Sequence, residues 1–167
     1  MKTLKLIIFA LLISIGLCSN AQDTKELDHT IDKLIPKAKK NRLNEKQINK
    51  LTISYHEANE IDHKRIMELK ESGQPEIWIE IYHRLNSINN RQNKIKVLPN
   101  SIKSTINFKM LNLENEIKNS REKAELFIYA KTNYLLKDIN EENLKEANWL
   151  VNQLRKSILK TAISMNS

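Results

Sequence analysis

The chain has 167 residues, and its 28 Lys and Arg exceed its 20 Asp and Glu, giving a formal net charge of +8 at pH 7. Only two glycines and three prolines occur, which is too few for the turns of a sheet-rich domain, so an all-α fold is expected. Because its basic residues are spread along the chain without aromatic platforms or a basic stripe, specific nucleic-acid binding is disfavoured.

The first 21 residues have the pattern of a secretory signal peptide. Lys2 and Lys5 precede an apolar run from Leu6 to Leu17, and small residues lead to a cleavage site between Ala21 and Gln22. The run is too short for a permanent membrane span. We therefore expect an exported protein, periplasmic or secreted, without a transmembrane anchor in the mature chain.

Cys18 leaves a second form of export open. A bacterial lipoprotein is cut just before a cysteine that then carries lipid and holds the protein on a membrane. The preceding residue is usually small, whereas here it is Leu17, so ordinary cleavage after Ala21 is favoured. The mature chain, residues 22–167, would then lack cysteine, which excludes disulfides and thiol catalysis. Loss of the two leader lysines lowers its charge from +8 to +6.

Helical periodicity begins directly after the predicted leader. Apolar residues three or four positions apart predict a helix from Thr24 to Lys40, which Pro36 should kink or divide. The next break is the sequence Ser72–Pro75, where a glycine suits the end of one helix and a proline suits the start of another. The sequence therefore predicts a first helical hairpin over residues 44–96.

The predicted core of this hairpin lies along one face of each helix. Asn44 is suited to cap the first helix, which should extend to Glu71, and the second should run from Pro75 to about Lys96. The residues expected to pack between them are Tyr55, Asp62, Leu69, Trp78, Ile81 and Leu85.

A second hairpin is predicted over residues 120–163, with a turn at Asp138–Asn140 that caps its last helix. Residues 97–119 connect the two hairpins. Their asparagines weaken helical spacing, so a short helix and an ordered connection both remain open. The expected architecture is a single domain of about five helices in antiparallel hairpins, either a short solenoid or an irregular helical bundle.

Two polar residues lie on or beside the apolar seam of the first hairpin. Asn59 and Asp62 need hydrogen-bond partners if they are buried. Arg65 on the same helix, or Arg91 and Gln92 on the facing helix, could supply them. We interpret the two residues as fixing the register of the hairpin, in preference to a ligand site.

A pair of Glu-x-x-His sequences raises the alternative of a metal centre. Glu60 with His63 and Glu80 with His83 lie on opposite arms of the first hairpin, and paired motifs of this kind hold two metal ions in ferritin-like bundles. Helical spacing, however, places these side chains away from the apolar stripes, so we expect them to face water. No catalytic constellation is found, and neither an enzyme nor a cofactor is predicted.

Three segments carry a resemblance to a known family. They resemble the helical hairpins of exported bacterial proteins related to tetratricopeptide repeats, and they are residues 55–94, 124–130 and 144–150. The resemblance covers about residues 45–96 and 117–160, although a bulky ring, Tyr82, stands where that repeat has a close-packing glycine.

That resemblance implies a non-enzymatic scaffold of the cell envelope that binds a protein or peptide partner. The alternatives are a metal-binding protein or metal-dependent enzyme that uses the paired motifs, and a protein that binds anionic envelope polymers through charge alone.

Overall fold

The computed structural model describes residues 24–165. Within this range all regular secondary structure is helical, in six helices, so the predicted all-α fold is confirmed. The predicted leader, with Cys18 and the cleavage site between Ala21 and Gln22, lies outside the described residues.

The helices follow one another with short connections. They are α1 (residues 24–39), α2 (Glu45–Ser72), α3 (Ile77–Lys96), α4 (Asn100–Ile106), α5 (Glu114–Leu135) and α6 (Glu141–Met165). Six helices occur instead of about five, because the connection contains α4. Pro36 does not divide α1, which is continuous through that position.

Polar caps and one glycine set several of these helix ends, as the sequence indicates. The Asn44 side chain accepts a hydrogen bond from the Gln47 amide at 2.9 Å, and the Gln47 side chain accepts one from the Asn44 amide at 3.3 Å, which forms a capping box. Asn140 caps α6 in the same way through the amide of Asn143, at 2.9 Å. Gly73 follows α2 with a φ of +67°, a left-handed conformation that favours glycine.

The predicted connection is mostly helical, and two of its asparagines lie at the ends of its helices. Asn107 adopts a left-handed conformation with φ 53° and ends α4. The Asn112 side chain accepts a hydrogen bond from the Glu114 amide at 3.3 Å, just where α5 begins. Two of the asparagines that weaken the helical pattern therefore lie at helix ends, where such side chains are favourable. The non-helical residues of the predicted connection are 97–99, before α4, and 107–113, between α4 and α5.

The residues predicted to form one domain pack as two compact units. In the described chain, unit 1 contains residues 24–67 and 87–111, and unit 2 contains residues 68–86 and 112–165. The helices α2 and α3 each contribute one part to each unit.

The core of unit 1 is built from four helices. One cluster of its buried apolar residues comes from α1, α2, α3, the α3–α4 connection and α4, and contains Ile31, Leu34, Ile35, Ala38, Leu51, Tyr55, Ile95, Leu98, Ile102 and Ile106. The imidazole Nε2 of His56 donates a hydrogen bond to the Ile106 carbonyl oxygen at 2.7 Å, which ties α2 to the end of α4.

The core of unit 2 includes the second predicted hairpin, whose helices α5 and α6 pack together. Ile128 and Leu135 of α5 are buried with Ala147 and Leu150 of α6. An ion pair joins Lys131 to Glu146 across the same hairpin, with Nζ and Oε1 3.4 Å apart. Lys131 lies near the end of α5 and Glu146 lies near the start of α6, as expected for neighbouring antiparallel helices.

Five of the six predicted hairpin core residues are buried, and Trp78 is the exception. Tyr55, Asp62, Leu69, Ile81 and Leu85 are 0–6% exposed. Trp78 is only partly buried, because the neighbouring Ile77 occupies the buried position at the start of α3. One face of its ring is covered by the ammonium of Lys123 on α5, 3.8 Å from the ring centroid.

Candidate functional site

A cavity with a volume of about 550 Å³ lies in unit 2. Side chains from the start of α3, from α5 and from α6 line it. This volume is within the range of sites that hold a small molecule or several side chains of a peptide. We refer to this cavity as the groove.

The floor of the groove is apolar. Ile79 from α3, Phe127 from α5, and Trp149 and Leu150 from α6 line it. Leu150 belongs to the buried core of unit 2, and Ile79 and Phe127 pack against that core. Trp149 is different, because 56% of its surface is exposed although it is large and apolar. An exposed tryptophan beside an apolar cavity is typical of a side chain that contacts a partner.

The rim of the groove is acidic. It carries the carboxylates of Glu76, Glu80 and Glu146, against the single ammonium of Lys131. Glu146 pairs with Lys131 at 3.4 Å, and Glu80 accepts a hydrogen bond from the Arg84 Nε at 2.9 Å. Since Glu76 is exposed and the rim has more acids than bases, it carries negative charge in a chain that is basic as a whole.

The sequence of each unit explains this contrast. Unit 1 has 15 Lys and Arg against 7 Asp and Glu, a net +8, whereas unit 2 has 11 against 12, a net −1. The positive charge of the chain is therefore concentrated in one unit. The two units alternate along the chain, so the difference in charge between them is not visible in the order of the sequence.

The four residues of the metal alternative occupy different environments. Glu60 is exposed, as predicted, whereas His63, Glu80 and His83 are partly buried. Glu60 and His63 belong to unit 1, while Glu80 and His83 belong to unit 2 and line the groove. Among residues 24–165, no group of three or more His, Cys, Asp or Glu is arranged to hold a metal ion.

A buried ion cluster in unit 1 satisfies the polar residues of the seam. Arg91 of α3 is 1% exposed, and its Nη1 donates hydrogen bonds to Asp62 at 2.7 Å, to Asn59 at 3.1 Å and to the Ala58 carbonyl at 3.2 Å. Its Nε and Nη2 donate to the two carboxylate oxygens of Asp28 at 2.6 and 2.9 Å. Of the candidates that the sequence left open, Arg91 binds both Asn59 and Asp62, whereas Gln92 binds the backbone of Leu111. The bidentate contact with Asp28 of α1 was not predicted.

The cluster shifts the titration of two of its members. Burial alone would lower the pKa of Arg91, but hydrogen bonds from the guanidinium to Asp28 and the charges of Asp62 and Asp28 outweigh it and raise the pKa. Burial raises the pKa of Tyr55, although a hydrogen bond with Asn59 and the charge of Arg91 act in the opposite direction. Carboxylates on α1 and α2 thus keep the Arg91 guanidinium charged, and the cluster is structural.

No described helix is long and apolar enough to cross a membrane. No family model matches the chain. Comparison with curated proteins finds no significant match, and comparison with solved structures finds none either. The resemblance to tetratricopeptide-related proteins stays a prediction.

Proposed function

We propose that this is an exported, non-enzymatic protein-interaction protein, and that the groove of unit 2 binds a polypeptide segment of its partner. The observation that carries the proposal is the combination of an apolar floor, a half-exposed Trp149 and an acidic rim in one cavity of about 550 Å³. Export is supported by the leader pattern of residues 1–21.

The floor favours a segment with apolar anchor side chains. Burying one large apolar side chain stabilises a complex by about 1.5–3 kcal/mol, and Trp149 can close over such a side chain without rearranging the core. Helical segments present anchors at i, i+3 or i+4 and i+7, which is how amphipathic helices bind grooves between other helices.

The rim favours basic residues beside those anchors. Two of its carboxylates, Glu80 and Glu146, already have basic neighbours, whereas the exposed Glu76 is available to a partner. Charge complementarity of this kind chiefly affects selectivity and the rate of association. The proposed partner is therefore a polypeptide segment whose apolar anchors are flanked by Lys or Arg.

The non-enzymatic part of the proposal is supported by the chemistry of the lining. The residues that line the groove include no Ser, Thr or Cys as a nucleophile. Two of its three carboxylates, Glu80 and Glu146, are already engaged in ion pairs with basic side chains.

A displayed library of random peptides, selected on residues 22–167, tests the proposal. Selected sequences should combine apolar anchors with Lys or Arg, and Trp149→Ala should weaken their binding by about tenfold or more, as expected for an interface anchor. The matched control is Tyr129→Ala, which removes an aromatic residue that is 70% exposed and does not line the groove.

Two results would contradict the proposal. One is a selection in which no peptide is enriched. The other is a set of peptides that tolerate Trp149→Ala but are lost with Tyr129→Ala. Enrichment of acidic sequences that depend on Trp149 would keep the groove as a binding site and contradict the assignment of a basic segment.

A further inference from the structure

A long stretch of the sequence contains no acidic residue. Between Glu80 and Glu114 there is neither Asp nor Glu, while six Lys or Arg residues occur. Three of them have carboxylate partners, namely Arg84 with Glu80, Arg91 with Asp28 and Asp62, and Lys94 with Asp32. The other three are Lys96, Lys103 and Lys109, for which the described part of the chain provides no ion pair.

Backbone contacts bring these three lysines to one end of α3 in unit 1. The Lys103 ammonium donates a hydrogen bond to the Lys96 carbonyl oxygen at 3.3 Å. The Phe108 amide donates to the Lys103 carbonyl at 3.0 Å, since the left-handed Asn107 reverses the chain after α4. Lys109 follows directly. The segment that carries it therefore lies next to α4 and to the last turn of α3.

A buried glutamine fixes the end of that segment. Gln92, which is 0% exposed, accepts a hydrogen bond from the Leu111 amide at 2.6 Å and donates one to the Leu111 carbonyl at 3.4 Å. Both backbone groups of Leu111 are thereby bound to a single side chain on α3, one turn before Lys96. The non-helical segment is thus held in place at both ends.

Apolar side chains that follow Lys96 and Lys109 in the sequence are exposed. Val97 is 59% exposed, Met110 is 49% exposed and Leu111 is 44% exposed. Single exposed apolar residues are common on protein surfaces and need no explanation. Here three of them accompany three lysines without carboxylate partners. We call these six residues, Lys96, Val97, Lys103, Lys109, Met110 and Leu111, the basic–apolar patch.

We propose that the basic–apolar patch docks unit 1 on a membrane surface that contains anionic lipid. The lysines would lie at the anionic headgroups, while Val97, Met110 and Leu111 enter the boundary between headgroups and acyl chains. Both components strengthen the binding of peripheral proteins to anionic membranes. The net charge of +8 on unit 1 adds long-range attraction to such a surface.

The apolar members of the patch decide between a lipid surface and a soluble anionic polymer. A polysaccharide chain is bound through charge and hydrogen bonds, so exposed Met and Leu add little to that binding. A bilayer interface accepts apolar side chains, and burying them there strengthens binding. The observed composition therefore favours the lipid surface.

Sedimentation of residues 22–167 with vesicles tests this inference. Vesicles of phosphatidylcholine with phosphatidylglycerol should bind the protein, and vesicles of phosphatidylcholine alone should not. The triple change Lys96→Gln, Lys103→Gln and Lys109→Gln should weaken binding by about fivefold per lysine. Val97→Ser with Met110→Ser and Leu111→Ser should also weaken binding, and this second loss should persist at high salt.

The matched control is the triple change Lys33→Gln, Lys37→Gln and Lys40→Gln. It removes the same charge from exposed positions on and just after α1 of the same unit. Thermal melts followed by circular dichroism should show that all variants keep the helical fold. The inference requires a clearly smaller loss of binding for the control triple than for the patch triple.

Three outcomes would overturn the inference. Equal losses for the two lysine triples would show attraction by overall charge, without a defined surface. Binding that is indifferent to the serine triple, with equal binding to dextran sulfate, would assign the lysines to a soluble anionic polymer. Absence of binding to the anionic vesicles would remove the membrane partner. None of these outcomes depends on the groove of unit 2.

Discussion

Arg91 and Asp62 form a nearly solvent-free ion pair across the α2–α3 hairpin, with Nη1 and Oδ2 2.7 Å apart and the side chains 1% and 3% exposed. The same guanidinium binds Asp28 of α1, whose side chain is 34% exposed. One side chain therefore joins three helices of unit 1. A buried ion pair of this kind contributes mainly through the cost of leaving its partner alone.

Removal of Arg91 should destabilise the protein strongly. Arg91→Met leaves the Asp62 carboxylate buried without its guanidinium, and we expect a loss of about 3–5 kcal/mol in the free energy of unfolding, measured by urea titration. The control is Lys94→Met, since Lys94 pairs with Asp32 from a partly exposed position on the same helix. That change should cost about 1 kcal/mol or less.

The double variant Arg91→Met with Asp62→Leu separates the two contributions. Stability should recover in part, because Asp28 is exposed enough to be hydrated once Arg91 is gone. A double variant that is less stable than Arg91→Met alone would contradict the explanation that the unpaired, buried Asp62 carboxylate causes the loss.

Tyr55 should make the stability of the protein depend on alkaline pH. The folded-state pKa of Tyr55 lies above its ordinary value, so the fold favours the protonated phenol. That stabilisation is complete below the unfolded pKa of about 10 and is lost as the pH rises through the folded-state pKa. Between about pH 9 and 11, stability should fall less for Tyr55→Phe than for the unchanged protein.

The control for Tyr55 is Tyr134→Phe, because Tyr134 is 68% exposed. Its profile of stability against pH should follow that of the unchanged protein. At neutral pH, Tyr55→Phe should itself cost about 1 kcal/mol, since the hydrogen bond with Asn59 is lost. Parallel alkaline profiles for Tyr55→Phe and the unchanged protein would contradict the expected linkage.

Trp78 should be less important for stability than a core tryptophan. Replacement of a buried Trp by Ala typically lowers the free energy of unfolding by about 3–5 kcal/mol. Trp78→Ala should lower it by less, because this side chain is only partly buried. Lys123→Gln should cost about 0.5–1 kcal/mol through loss of the cation–π contact. Urea titration of both variants checks these values.

Ile81→Ala provides the comparison, because Ile81 lies on the same helix and is 0% exposed. It should cost about 2–5 kcal/mol. If Trp78→Ala were the more destabilising of the two, the partial burial of the indole would be contradicted.

Gly73 should be replaceable only with strain. Its φ of +67° is unfavourable for residues with a Cβ, but nothing lies within 4 Å of the position that a Cβ would occupy. Gly73→Ala should therefore cost about 1–2 kcal/mol from backbone conformation alone. Gly73→Asn should cost less, since Asn tolerates the left-handed region, and equal unfolding midpoints for the two variants would argue against this explanation.

The local features of the fold could be predicted because they depend on residues close in sequence. Asn44 and Asn140 act on amides three residues away, and Gly73 acts on its own backbone. The bidentate contact between Asp28 and Arg91 joins residues 63 positions apart. Helical spacing places Asp28 on the same face of α1 as Ile31 and Ile35, but a periodic pattern does not indicate which residue of another helix it contacts.

Errors of one residue also change the predicted face of a helix. Successive residues point about 100° apart. Since Ile77 is buried and Trp78 is only partly buried, the buried face at the start of α3 differs from the predicted face by about that angle. The groove was not predicted for a related reason. Ile79, Phe127 and Trp149 come from three separate helices, and only the packing of α3, α5 and α6 in unit 2 brings them together.

The alternation of the two units along the chain has a consequence for synthesis. Unit 1 is complete once residue 111 has been made, whereas residues 68–86 of unit 2 are made before their partners in α5 and α6. Three side chains of this part are buried in the finished protein, namely Ile77, Ile81 and Leu85. They therefore lack their packing partners while the last third of the polypeptide is synthesised. During that interval, in the proposed export, the nascent chain would expose apolar side chains to which a chaperone could bind.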